Sequence, residues 1–164
     1  MSEMLKHPEF RNGVRDAAPL LPGIAAWGVM TGVAMVKSGL SLWESVLMGV
    51  LVFAGSSQLS ALPLIAGGAP MWVVLATSFC VNLRFVVFSA HLRPYFMHLR
   101  FWRRMGAAYL AADLIYVTFT SRFPEPARDA ASQRAQEAYW FGNGSSNWVA
   151  WTAAGMLGIA LANA

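Results

Sequence analysis

A chain of 164 residues in which 57% are hydrophobic and only 12% charged is far from the soluble balance of about one quarter charged. With a mean hydropathy of +0.47 it reads as an integral membrane protein with no room for a sizeable soluble domain. Its net charge of +4 and pI of 9.7 come from arginines set between apolar runs, so they report membrane orientation and anionic headgroups rather than nucleic acid.

Residues 1–17 mix Lys6, Arg11 and Arg15 with Glu3, Glu9 and Asp16 and contain no apolar run ending at a small-residue cleavage site. This is expected of a retained interfacial segment rather than of a cleaved signal peptide. From residue 18 onward the chain reads as one transmembrane helical domain with five candidate spans, 18–36, 42–66, 70–92, 105–123 and 138–164. Helices are the expectation, because backbone in lipid must satisfy its own hydrogen bonds.

The first span opens Pro19-Leu20-Leu21-Pro22-Gly23. Proline removes a backbone donor and glycine permits non-helical angles, so Pro22 and Gly23 either free polar backbone groups at the membrane entry or simply form a first turn. Gly28 and Gly32 follow at the spacing that allows close helix packing. In the second span, Gly55-Ser56-Ser57-Gln58 interrupts an apolar run. An unwound helix there presents backbone dipoles to a zwitterion, as discontinuous helices do in secondary transporters; as packing, the same side chains hydrogen-bond to neighbouring helices.

The third span carries Asn82 and Arg84 in its inner half, and an arginine at that depth costs at least ~2.5 kcal/mol. Arg84 therefore needs a partner, a wet cavity or a role. The segments 93–104, basic and aromatic, and 124–137, polar and mixed in charge, read as interfacial loops. If the third and fourth spans turn near His98 and Leu99, Arg84 and Asp113 both lie about 14 positions, or on the order of 21 Å, from that turn. Two opposite charges at one depth make either a structural ion pair or part of a substrate or proton site. Three segments between the basic N-terminus and the basic 93–104 loop conflict with the positive-inside tendency. Either one segment is re-entrant, the second being the better candidate for an incomplete crossing, or the bias is weak.

Cys80 lies in an apolar run and reads as a small core residue, while His91 and His98 read as interfacial. No triad, phosphate-cradling loop or metal motif is present, so neither enzymatic activity, a metal nor a cofactor is expected. The last span ends at Ala164 without flanking charge, cap or tail, as expected of an incomplete chain.

These residues resemble the AzlC family, the large subunit of branched-chain amino acid exporters. The resemblance rests on Ala18-Pro19 with Pro22-Gly23 and the glycine-rich helix after them, on Val52-Phe53-Ala54-Gly55-Ser56-Ser57-Gln58, and on Val81-Asn82-Leu83-Arg84 with Ser89 and Leu92. It covers most of residues 13–120. In the fourth span the family's Thr-Asp-Glu corresponds to Ala112-Asp113-Leu114, so only the aspartate is retained. The fifth span matches through Trp148 or Trp151 and the Gly155 to Gly158 region, and family members usually continue with further spans.

The resemblance implies a multi-pass protein of the bacterial inner membrane that exports leucine, isoleucine, valine and sometimes methionine with a small AzlD-type membrane partner. The expected substrate site comprises Pro22, Gly23, Gly55, Ser56, Ser57, Gln58, Asn82 and Arg84, with Asp113 in proton coupling or pairing with Arg84. The alternative is a non-transporting assembly or regulatory subunit, or an inactive remnant.

Overall fold

The computed structural model describes residues 2–164, so of the N-terminal segment only Met1 lies outside the described residues. Among these the secondary structure is entirely helical. Elements α1 (Ser2–Lys6), α2 (Pro8–Ala17), α3 (Leu21–Lys37), α4 (Leu42–Leu51), α5 (Gly55–Ala66), α6 (Met71–Phe96), α7 (Phe101–Tyr109), α8 (Asp113–Arg122) and α9 (Ala130–Asn163) follow one another through short connections. Two compact units result, one of residues 1–21 with 85–148, the other of residues 22–84 with 149–164.

Helix ends follow the local chemistry. Ser41 caps α4 through a reciprocal box with Glu44, its hydroxyl accepting from the Glu44 amide while the carboxylate accepts from the Ser41 amide at 2.8 Å. Gly39 (φ 88°) and Gly68 (φ 68°) follow α3 and α5 in the left-handed region. At each, the next residue's N–H reaches back to the helix, from Leu40 to the Met35 carbonyl and from Ala69 to that of Leu64. This is the glycine-terminated Schellman arrangement, in which a Cβ is strained.

The unit of residues 1–21 and 85–148 is held by an aromatic core. Phe119, fully buried, packs against Tyr95, Phe96, Phe123 and Trp140 at ring-centroid distances of 5.2, 5.8, 5.4 and 5.1 Å. The polar handles of these rings are satisfied: Trp140 Nε1 donates to the Ala107 carbonyl at 3.0 Å and Tyr95 Oη to that of Phe123 at 2.9 Å. Arg122 clamps α8 to α2 through two hydrogen bonds to Glu9, at 2.9 and 3.0 Å. The side chain of Glu137 is buried and lies between Arg103 Nη2 (3.0 Å) and His98 Nε2 (2.7 Å), an arrangement that offsets its desolvation.

The unit of residues 22–84 and 149–164 is built differently, on close backbone approach. A Cβ at Gly32 would overlap the Gly155 carbonyl oxygen, and one at Gly158 the Val29 carbonyl oxygen. The small-residue pattern around Gly28 and Gly32 thus serves close packing of α3 on α9. A small apolar core of Met35, Leu62 and Ile159 lies beside it.

Two helices show an inverted distribution of polarity. On α4, Ser45 and Gly49 are buried while Trp43, Leu47 and Leu51 are 75%, 55% and 67% exposed. On α6 the large side chains Trp72, Leu75, Phe79, Val86 and Val87 face outward, and the helix is by itself long and apolar enough to cross a bilayer. In water such faces would be a liability; in lipid they are the solvent-facing side. Cys80 is exposed on α6 as well, which corrects its reading as a core residue.

Three sequence boundaries shift. The expected 93–104 loop shrinks to residues 97–100, because α6 continues through Phe96, with Pro94 in its last turns, and α7 begins at Phe101. The expected 124–137 loop ends where α9 starts at Ala130. The fourth span is not continuous: Leu110 to Ala112 separate α7 from α8. Its apolar run gives no hint of that break, since none of those three residues is a glycine or proline.

Candidate functional site

The second expected span is interrupted at residues 52–54, three positions earlier than the polar cluster suggests. Val52 (φ −102°, ψ 88°) and Ala54 (φ −150°, ψ 76°) leave helical geometry, and Gly55 to Gln58 form the first turn of α5 instead of an unwound stretch. No side chain caps that turn. A helix start leaves its first N–H groups without intrahelical acceptors and carries a partial positive charge, so Gly55, Ser56 and Ser57 present a concentrated donor surface.

Gln58 holds the break shut. Its Nε2 donates to the carbonyls of Met48 (2.9 Å) and Val52 (2.7 Å), of which the Met48 carbonyl also accepts the Val52 N–H (3.1 Å), so Gln58 ties the end of α4 to the first turn of α5. This correction to Gln58 follows from geometry: its amide nitrogen is committed to the backbone, leaving only Oε1 for any other role. Arg84 lies near the middle of α6 and its Nη2 donates to Ser56 Oγ at 2.9 Å, bringing a guanidinium to the α5 start.

The unit that holds the α5 start has an unusual polar inventory. Among the described residues, the buried side-chain oxygens without a hydrogen-bond partner are Ser45 Oγ, Ser57 Oγ, Gln58 Oε1, Asn82 Oδ1 and Thr152 Oγ1, all in the one unit. Each such atom costs about 1–3 kcal/mol unless something engages it. A stable protein concentrates these costs where polar atoms serve a purpose other than packing.

The remaining sequence candidates fall as follows. Pro22 and Gly23 lie exposed in the first turn of α3, which runs unbroken to Lys37; the interruption is at residues 18–20, ahead of the helix, so the prolines occupy turn and first-turn positions. Asn82 shares α6 and the unit with Arg84, its Oδ1 buried. Asp113 is the first residue of α8 in the other unit, immediately after the second break. His91 Nδ1 lies 2.6 Å from Tyr116 Oη, so both histidines singled out by sequence make side-chain contacts within the first unit.

Trp151, which the sequence offers only as one of two candidate family matches in the fifth span, is absent from the expected site. Its buried indole packs against Gly55 and meets Trp27 edge-on at 5.6 Å. Aromatic residues in an apolar run carry no signal of which helix start they cover. Among the described residues no group of histidine, cysteine and acidic side chains is placed to hold a metal.

Comparison with known proteins places these features in context. The family described as AzlC protein matches residues 19–164. The inner membrane protein YgaZ of Escherichia coli (strain K12) is 23% identical over 151 residues, which cover 91% of this chain and 59% of that protein. The chain therefore spans under two thirds of that relative's length. No solved structure matches the chain.

Proposed function

The chain belongs to the AzlC family, and from that premise we propose that it is the large subunit of a secondary exporter. It moves branched-chain amino acids, and methionine with them, out across the bacterial inner membrane as a multi-pass protein, together with a small AzlD-type membrane partner. The observation that carries this reading is the α5 start. A helix N-terminus, a guanidinium at Ser56 and a set of buried oxygens without partners lie in one unit of a chain whose α4 and α6 turn apolar faces outward. Donors there suit a carboxylate, and oxygens suit an ammonium, which together describe the head of an amino acid.

In this scheme the first-turn amides and Ser57 engage the substrate carboxylate, with Arg84 supplying charge. The oxygens of Asn82 and Gln58 accept from the ammonium. Asp113 carries the proton that couples efflux to the gradient. Intramembrane ionisable residues are costly enough that such roles are their usual reason for being there.

The test is efflux of labelled leucine from dipeptide-loaded cells expressing the chain with the small partner, membrane levels being measured in parallel. Efflux above vector controls is expected, falling to the control rate in Arg84→Ala and Asp113→Asn with insertion retained. Normal efflux in either variant removes that residue from the mechanism. Good insertion without efflux in the unaltered chain favours an assembly or regulatory role.

A further inference from the structure

We infer that Trp151 sets the size of the side chain admitted at the α5 start, an inference that rests on the substrate site proposed above. Gly55 is the first residue of α5, and a Cβ built on it would fall against the Trp151 ring, 2.9 Å from Cζ2 and 3.2 Å from Cζ3. The indole therefore packs on the turn whose amides lack helical acceptors. Trp151 is 6% exposed, and the half-exposed Trp27 ring meets it at an interplanar angle of 88°.

The turn thus has two kinds of neighbour. Ser57 and Gln58, 4% and 1% exposed, keep buried oxygens without partners, and Ser56 accepts from Arg84. The other neighbour is a buried aromatic wall, the Trp151 ring on Gly55. A carboxylate held by the first-turn amides has its substituent within a few bond lengths of them, so that substituent runs along the wall. An aliphatic group of moderate size gains contact with the ring, whereas a larger one meets a wall braced by a second indole. In a hydrophobic pocket one extra or missing methylene is worth roughly 10- to 200-fold.

The experiment measures equilibrium binding of labelled leucine and phenylalanine to the full chain in lipid nanodiscs. The unaltered chain should prefer leucine. Trp151→Leu should shift the leucine-to-phenylalanine preference toward phenylalanine by about tenfold or more, with Trp151→Phe intermediate. A second pair covers the case in which Trp151→Leu does not fold: Gly55→Ala, whose added methyl collides with the ring, should lose leucine binding, and Gly55→Ala with Trp151→Phe should regain part of it. Leucine binding with an unchanged preference in the Trp151 variants, no initial preference, or Gly55→Ala binding at full strength each overturns the size wall while leaving the site intact. Absence of amino acid binding by the unaltered chain overturns the site and the wall together.

Discussion

At the level of single residues, Gln58 shows how a polar side chain in an apolar run serves architecture. Its two hydrogen bonds to the Met48 and Val52 carbonyls span the gap that residues 52–54 open. Gln58→Ala should destabilise the protein by about 1 kcal/mol, since the Val52 carbonyl loses this donor while the Met48 carbonyl keeps the Val52 N–H. Gln58→Glu should cost at least as much, because a carboxylate cannot donate. Thermal unfolding in detergent checks both, and a Gln58→Ala melting temperature equal to that of the unaltered chain would dissolve the clamp. The presence of a polar cluster here was legible in the sequence; the division of labour within it was not. Ser56, Ser57 and Gln58 look equivalent as letters, and only the position of the break decides which faces the α4 carbonyls and which faces Arg84.

Helices illustrate the same limit differently. The glycine spacing of Gly28 and Gly32 predicts close packing, and the α3 to α9 approach through Gly155 and Gly158 bears it out. Gly32→Leu should force those two backbones apart and abolish stable folding, with Gly32→Ala milder but still destabilising by 1 kcal/mol or more, by analogy with overpacked cores where ~1–3 kcal/mol is usual. Yield of monodisperse protein reads the first and melting temperature the second. The break between α7 and α8 escaped sequence reading because Leu110, Ala111 and Ala112 are all compatible with a helix, so tertiary packing, including Gly144 against Leu110, decides it.

The start of α9 offers a pH-dependent case. The Asp129 carboxylate accepts from the amides of Ser132 (2.9 Å) and Ala131 (3.1 Å), and these bonds, that of Ser132 foremost, hold its pKa below the usual aspartate value. A group whose folded value is depressed contributes stability above its unfolded value, near pH 3.9, and loses it as pH falls through the lower folded value. The protection of the Ser132 amide, its exchange rate set against the intrinsic rate at each pH, should therefore fall on acidification through that window, and Asp129→Ala should show the lower protection at neutral pH as well. Exchange that ignores both changes would deny Asp129 its capping role.

Across the molecule, composition points to the membrane, and the structure adds which side chains turn outward. Polar and small side chains of α4 turn inward while tryptophan and leucine turn outward, a reversal of the soluble pattern that no composition figure contains. The all-helical class follows from the bilayer's demand on backbone groups. The existence of two compact units does not, because the sequence marks no boundary inside α6 or α9, and both helices contribute residues to both units.

Cys80 gives the chain a built-in reporter. It is the sole thiol in the sequence and is exposed on the outward face of α6, the helix of membrane-spanning length. A spin label or fluorophore can therefore be attached to this chain at one known place. Its accessibility to lipid-dissolved oxygen, set against that to a water-soluble quencher, gives immersion depth directly. The same label, followed while leucine is added, tests whether the proposed substrate alters the surroundings of α6.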